Sequence, residues 1–388
     1  TTTEQIREIG KYLDTNFRKC IAVYLPNSIE FLVVLFACEA YGLEIVLLKY
    51  DQPLSDTINQ LKSTKADTVI AAAGSFPIDA VRKDCHAVKY FIWVLDEGNE
   101  HMDWKEVSPE LKESIIVTTW QDIIQKRATI PTIIPSAEER CGLNKIITFP
   151  RGKAVGYTHK NIIAAIGGQL SSISPTQSFT SSDLFLPVDC LSDIYTLVMT
   201  LTALYSNSSV ALTSVASHSP SLTLATRGIA PTVIAASSTT MLKLHEETKQ
   251  KLSTPLYKFV HWMESRELVR NGVLPIASFV SRFYDQLRPV IGTTPGELRL
   301  LYISTSVASE SPISSSVLSD LRIYTRSRII YALTAPEVAG AVTQTGVYDY
   351  RVSECHGGVH FGAPVSSLEL YFQDKGIYKS NDSTSCGE

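Results

Sequence analysis

Short apolar runs that alternate with helix-length stretches constrain this chain more than any other feature. Ile21 to Leu25 is one such run, ended by Pro26-Asn27-Ser28; Ile29 to Tyr41 then follows a helical pattern that Gly42 terminates. Glu44 to Leu48 reads as a second buried strand and Asp51-Gln52-Pro53 as a turn. The stretch through Ile58 and Leu61 reads as a helix, Thr68 to Ala71 as a third strand, and Tyr90 to Leu95 as the start of another strand-helix passage. Parallel strands need crossover connections long enough to hold a helix, so this alternation dictates an α/β fold with mostly parallel sheets.

The pattern lapses and then resumes. From Asp96 to about Arg127 the residues turn charged and polar, and Ile130 to Arg140 reads as a connector, which places a boundary near 140. After Lys145 to Phe149 the alternation returns, with a helix from about Asn161, a strand near Leu184 to Leu186, a helix from Ile194 and a strand at Ser209 to Leu212. Thr232 to Ala236, Leu298 to Ile303 and Arg328 to Ala332 read as three more strands, and the Ser-rich passage Ser304 to Ser319 as a structured loop and helix. Thr254 to Tyr284 is helical in pattern, and its aromatics Tyr257, Phe259, Trp262, Phe279 and Phe283 are expected in the core. The expected units are 1–140 and 141–340, both α/β, followed by a smaller unit over 341–388.

Composition removes several function classes. At 388 residues and 44% hydrophobic content the chain buries a large core, while 19% charged residues, a net charge of −4 and no Lys/Arg block exclude the basic footprint of a nucleic-acid binder. The most apolar stretches, Phe31 to Ala40 and Ile194 to Tyr205, fall short of the roughly 20 residues that span a bilayer and are expected as buried helices, with no transmembrane segment. Seven scattered cysteines with no C-x-x-C pair indicate the cytoplasm or another reducing intracellular compartment. The N-terminus has no apolar signal core. Cys355, His356 and His360 invite a metal reading, but Gly357-Gly358 disfavours a helix there and no H-E-x-x-H is present, so no metal ligands are expected. Neither a G-x-S-x-G elbow nor a G-x-G-x-x-G after a strand occurs.

Six segments, in order along nearly the whole chain, resemble one family. They are IAVYLPNSIEFLVVLFACEAYG, LKSTKADTVIAA, VTTWQDII, RGIAPTVIAAS, IIYALTAPEVAG and HFGAPVSSLELYF. Together they are similar to the acyl-adenylate-forming superfamily, nearest to its long-chain acyl-CoA synthetases. The resemblance implies two sandwiched α/β subdomains, with 341–388 starting a small β-barrel-like subdomain. It also implies ATP, AMP, magnesium and, in an active ligase, CoA as ligands. In the family a carboxylate attacks the α-phosphorus of ATP, which needs donors and cations around the developing charge.

The matching positions depart from the family's pattern where the chemistry lies. Its phosphate loop, about YTSGTTGxPKGV, corresponds to Ile147-Thr148-Phe149-Pro150-Arg151-Gly152-Lys153-Ala154-Val155, about five residues shorter and without the hydroxyl-glycine cluster. Arg151, Gly152 and Lys153 are the phosphate-binding candidates that survive, and the two cations serve equally as solvated surface charges. Thr158-His159-Lys160-Asn161 matches the following THxN, so Thr158 and His159 join the nucleotide-site candidates, and Asn161 is expected to cap the next helix. In Tyr331-Ala332-Leu333-Thr334-Ala335-Pro336-Glu337 the resemblance gives Tyr331 the adenine and Thr334 a phosphate, but the magnesium-holding Glu is displaced to Glu337. Thr334 and Glu337 are the catalytic candidates. The family's glycine-rich adenine turn is replaced by Ser304 to Ile313, where side chains intrude. Ser385 to Glu388 resembles the segment just before the family's ribose-binding motif, so the small C-terminal domain is not expected within this sequence.

Three functions accord with these residues. One is a diverged, catalytically impaired adenylate-forming domain serving as a binding or regulatory module, with a small acyl or nucleotide ligand and a protein partner. The second is an active ATP-dependent acyl-CoA or acyl-AMP ligase for a fatty or other carboxylic acid. The third is a scaffold subunit of a larger assembly.

Overall fold

The structure is a computed structural model that describes residues 1–16, 20–50, 52–95, 115–127, 145–213, 221–251, 254–274, 289–293, 297–307, 312–351, 359–371 and 373–374. The first half runs α1 (Thr2–Asn16), β1 (Cys20–Tyr24), α2 (Ile29–Tyr41), β2 (Glu44–Leu47), α3 (Leu54–Thr64), β3 (Thr68–Ala72), α4 (Ile78–Asp84), β4 (Tyr90–Val94), β5 (Ile116–Thr119) and α5 (Trp120–Arg127). Then come β6 (Lys145–Thr148) and β7 (Val155–Thr158). These strands form one seven-stranded sheet in the order β5-β4-β3-β1-β2-β6-β7, parallel throughout except for the β6–β7 hairpin.

The second half runs α6 (His159–Ser171), β8 (Leu184–Pro187), α7 (Ile194–Tyr205), β9 (Ser209–Val210), α8 (Leu222–Ala225), β10 (Val233–Ser237), α9 (Ser238–Lys251) and α10 (Pro255–Asn271). It continues through β11 (Leu300–Ser306), α11 (Ser315–Thr325), β12 (Arg328–Thr334), β13 (Thr343–Gln344) and β14 (Ala363–Pro364). The second sheet has the order β14-β13-β12-β11-β10-β8-β9, antiparallel only where β13 and β14 join.

The two sheets share a helical layer. Ile21, Val23, Ile45 and Ile70 on the first sheet share one core with α1, α2, α5 and the apolar sides of α6 and α7. Met199 and Ala203 of α7 also pack against Phe185, Val233 and Leu300 of the second sheet. A helix squeezed between layers must be apolar nearly all round, as IEFLVVLFACEAY and IYTLVMTLTALY are. This is why both segments look membrane-like in sequence yet are buried. Among the described residues no helix is long and apolar enough to cross a membrane. The outer faces are covered by α3 and α4 on the first sheet and by α8, α9 and α11 on the second.

Local signals set the helix ends. Ser28 Oγ accepts from the Phe31 N–H at 3.2 Å, and Gly42 adopts φ 73° to close α2. Asp193 caps α7 by accepting from the Thr196 N–H at 3.4 Å and its hydroxyl at 3.1 Å. Asn161 takes part in capping α6 from inside the helix: Thr158 is the N-cap, and Asn161 Oδ1 accepts from the Thr158 N–H at 2.9 Å, a reciprocal box that moves the helix start to His159.

Four expectations change. The hairpin 145–158, assigned by composition to the second unit, pairs onto β2, so the chain leaves the first sheet after Thr158 and not near 140. Within the polar passage, Ile116–Thr119 is an edge strand and Trp120–Arg127 a helix, anchored by buried Trp120 and Ile123; one apolar side chain per turn is enough for an element that covers only an edge. The strand expected over Leu298 to Ile303 runs on to Ser306, so the first part of the Ser-rich passage is β-structure. Phe259 and Trp262 are 56% and 52% exposed, not core, because α10 buries its other side, through Val260, Glu264 and Leu268. Phe279 and Phe283 lie outside the described residues, as do 352–358, which include Cys355 and His356, and 375–388. Within 341–388, β13 and β14 extend the second sheet.

Asn27 ties the halves together. It is buried; its Nδ2 donates to the Asp189 carbonyl at 2.9 Å, and its Oδ1 accepts from the Leu191 N–H at 2.8 Å. Asn27→Ala leaves these backbone groups unpaired in a buried seam and is expected to lower stability by about 1–3 kcal/mol in urea titration.

Candidate functional site

In open parallel sheets the carboxyl ends of the strands gather the loops, and a cleft opens where neighbouring crossovers diverge. Here the two sheets present such ends to one another, across a cavity of about 280 Å³. Thr148 at the end of β6 and Phe149, Pro150 and Arg151 after it form one wall, and Asp189, Cys190 and Asp193 after β8 another. Ser237, Ser304, Ser306 and Thr334, at or near the ends of β10, β11 and β12, form a hydroxyl-rich third wall. Tyr157 closes one side by donating its hydroxyl to the Pro336 carbonyl, a link between the two sheets. Burial pushes that phenol up to about 12, so it remains a donor at neutral pH.

The electrostatics are balanced. Two basic side chains, Lys49 and Arg151, and two acidic ones, Asp189 and Asp193, line the cavity. Asp193 is engaged in capping α7, and Asp189 Oδ1 accepts from Ser237 Oγ at 3.0 Å. A triphosphate requires a surplus of positive charge and donors, and these groups supply no surplus.

The turn between β6 and β7 directs its donors inward. The Gly152 N–H bonds to the Phe149 carbonyl and the Lys153 N–H to the Pro150 carbonyl, both at 3.2 Å, while Pro150 has no N–H. Arg151 and Gly152 both adopt left-handed conformations, with φ 54° and 75°, which closes the loop tightly. An anion-binding nest needs several N–H groups pointing into one hollow, and this turn consumes them.

The sequence candidates therefore separate. Arg151 and Thr334 line the cavity, and Gly152 and Lys153 continue the turn beyond it, exposed. The Thr334 hydroxyl donates to the Thr305 carbonyl at 3.2 Å, leaving that oxygen an acceptor toward the cleft. Glu337 is exposed and lies outside the lining. Thr158 serves as a helix cap, and His159 sits on the outer surface with Nδ1 3.1 Å from Glu39 Oε2. Tyr331 is fully buried on the far side of β12, where its ring stacks on Phe361 at 4.9 Å and its hydroxyl accepts from the Ile313 N–H at 2.7 Å. ATP and magnesium do not fit these positions: the stacking face is covered, the phosphate donors are turned inward and the displaced carboxylate is outside the cleft.

Sequence reading missed Asp189, Ser237 and Tyr195. Tyr195 is 1% exposed, lines the cavity, and among the described residues its hydroxyl has no hydrogen-bond partner; burial raises its pKa well above the ordinary phenol value. The available signal was position: Asp189 and Ser237 lie at or just past the end of an apolar strand, and Tyr195 is in the first turn of the helix that follows.

A second titratable cluster lies on the outer layer. His245 and His261 each place Nε2 against Asp320, at 2.9 and 2.7 Å, with Tyr324 stacked on His245 and tilted against His261. Burial would raise the Asp320 carboxyl, but the two histidine hydrogen bonds outweigh it and hold it at about 2. Ser265 meets the same His261 nitrogen, at 3.4 Å, so no relay through opposite ring nitrogens exists. Among the described residues no group of three or more ligating side chains is placed to hold a metal ion.

The sequence matches no protein-family profile and no curated protein sequence. Its fold does match solved structures. The N-terminal domain of FACL13 from Mycobacterium tuberculosis superposes with a TM-score of 0.59 at 13% identity, over 90% of this chain and 71% of that one. Coronafacic acid ligase from Pectobacterium brasiliense gives 0.60 at 15% identity, over 94% of this chain and 60% of that one. The A domain of carboxylic acid reductase from Segniliparus rugosus, solved with AMP and a co-purified carboxylic acid, gives 0.62 at 14% identity, over 88% and 53%. The chain thus spans less than two thirds of the latter two. All are adenylate-forming enzymes, and this chain has the fold of their large N-terminal domain.

Proposed function

We propose that the chain is a diverged adenylate-forming domain that has lost efficient ATP chemistry and binds a small carboxylate or acyl ligand in the cleft at the strand ends, as a binding or regulatory module. The observation that carries this reading is the burial of Tyr331 beneath Phe361, which occupies the face a purine would need. The inward-bonded turn at Gly152 and Lys153 supports it. Losing one set of oxyanion-type donors lowers rates by about a hundredfold or more, and coincident losses compound. Tyr195, protonated and without a partner, is the group assigned to donate to the ligand's carboxylate or carbonyl. Among the described residues the thiols of Cys20, Cys38 and Cys85 form no disulfide, which fits a reducing compartment such as the cytoplasm. A module of this kind acts through a partner protein, and CoA has a place only in the alternative reading, an active ligase.

ATP–pyrophosphate exchange with a panel of fatty and aromatic acids is expected to stay at background, and MgATP to leave the melting temperature unchanged. A matching acid at 100 times its dissociation constant should stabilise the protein by about 2.7 kcal/mol, and Tyr195→Phe should weaken that response. Robust exchange overturns the reading in favour of the ligase; no response to any acid favours a scaffold.

A further inference from the structure

Helix α10 has two apolar sides, and among the described residues only one of them is covered. Val260, Glu264 and Leu268 face the protein and pack toward α11, where Leu268 shares a small core with Ile323. On the opposite side Leu256, Phe259, Trp262, Met263 and Val269 are between 40% and 60% exposed. Leu256, Phe259, Trp262 and Met263 recur at spacings of three and four, and Val269 follows about two turns after Trp262, the repeat that gathers side chains on one helix face. Phe259 and Trp262 stack at 6.0 Å with an interplanar angle of 28°, and the Arg266 guanidinium sits 5.3 Å over the Trp262 ring. An open groove of about 450 Å³ is lined by Phe259, Trp262 and Met263 of this row together with Arg266, Glu267 and Arg270.

Protein interfaces segregate an apolar centre from a polar rim. Here apolar and basic residues interleave: Lys258, Arg266 and Arg270 are exposed among the aromatics, with Glu267 the acidic side chain bordering the groove. Arginine and lysine carry their charge at the end of an apolar stem, so such a row can sink its rings and stems while its cations stay at the level of phosphate headgroups. Phe, Trp and Leu beside Lys and Arg on one exposed helix face is the composition of helices that lie flat in a lipid interface. The whole chain carries a net charge of −4, so attraction to an anionic surface must come from a local concentration of positive charge, which this row supplies.

We propose that the exposed face of α10 is a docking surface for an anionic lipid bilayer, on which the protein lies peripherally with Phe259 and Trp262 in the headgroup region. The complement of charge selects the occupant: basic groups among rings suit acidic headgroups over acyl chains. The contact is independent of the cleft.

The test uses the full chain with vesicles of phosphatidylcholine containing phosphatidylserine, beside pure phosphatidylcholine vesicles. Co-sedimentation with the anionic vesicles is expected, and it should weaken steeply as salt rises because screening acts within about 8 Å at physiological ionic strength. In a Trp104→Phe background, brominated acyl chains should quench tryptophan fluorescence, and adding Trp262→Phe should keep binding while losing most of the quenching, since Trp93 and Trp120 are buried. The pairs Phe259→Ser/Trp262→Ser and Arg266→Glu/Arg270→Glu should each lower partitioning by roughly tenfold or more, without changing the melting temperature, since the residues are exposed. No co-sedimentation with anionic vesicles, or binding unchanged in both paired variants, overturns the proposal. So does a dimer in sedimentation velocity that Phe259→Ser/Trp262→Ser dissociates, because a second copy then covers the face.

Discussion

Arg299→Ala should be among the most destabilising single substitutions in this protein, by about 3–5 kcal/mol, because it strands a buried carboxylate. Asp183 is 3% exposed and accepts from Arg299 Nε and Nη2, both at 2.7 Å, from the Thr232 hydroxyl at 2.8 Å and from the Thr180 N–H at 2.8 Å. Arg299 also donates to the carbonyls of Gln177 and Ser178, each at 3.0 Å, so one guanidinium fixes the loop before β8 against the start of β11. Burial alone would raise the Asp183 carboxyl, but the hydrogen bonds from Arg299, Thr232 and Thr180 outweigh it and bring it to about 2.

The depressed value sets the sign of a pH dependence. An aspartate at about 2 when folded and about 3.9 when unfolded contributes stability that is fully present above the unfolded value and lost as pH falls through the folded one, on the order of 2–3 kcal/mol for this group. Urea titrations at a series of pH values should show this acid limb in the wild type. In Arg299→Ala this acid limb should shrink or reverse, since burial then acts without its main counterweight and a carboxyl raised above its unfolded value gains stability as pH falls. An unchanged acid limb would mean that the ion pair contributes nothing to folding.

Tyr331→Ala is the second large effect, about 3–5 kcal/mol, since it removes a fully buried ring stacked on Phe361. Tyr331→Phe keeps the ring but leaves the Ile313 N–H unpaired, for about 1–3 kcal/mol. The same two variants separate a packing role from a purine-binding one. If Tyr331 packs, stability falls and the response to nucleotide stays flat in every variant. If it stacks on adenine, the wild type shows a nucleotide-dependent melting shift that Tyr331→Ala abolishes, with little effect on the unliganded protein.

Much of the fold was legible because local physics fixes it. The run Ile21 to Leu25 followed by Ser28 and Gly42 gives a strand, a capped helix and a stop whatever the surroundings, and the structure places them at Cys20–Tyr24 and Ile29–Tyr41. Parallel pairing followed from the helical crossovers. Of the residues that line the cavity, Arg151 and Thr334 were picked out by the family resemblance, through the two motifs they match.

The rest depended on which way side chains turn and on what lies across the cleft. Along β12, Ile329 and Tyr331 point to the outer helices and Ile330 and Ala332 to the core around α7, a choice made by the pairing of β12 with β11 and unreadable from the alternating run itself. The hairpin 145–158 joined the first sheet because β2 offered an open edge, a contact a hundred residues away in sequence. Phe259 and Trp262 carry the same spacing as buried aromatics; only the packing of α10 through Val260, Glu264 and Leu268 leaves them outside. Sequence determined the elements and their alternation through short-range backbone and capping energetics, while facing, exposure and the convergence of Asp189, Tyr195 and Ser237 were decided by long-range packing, which no local pattern encodes.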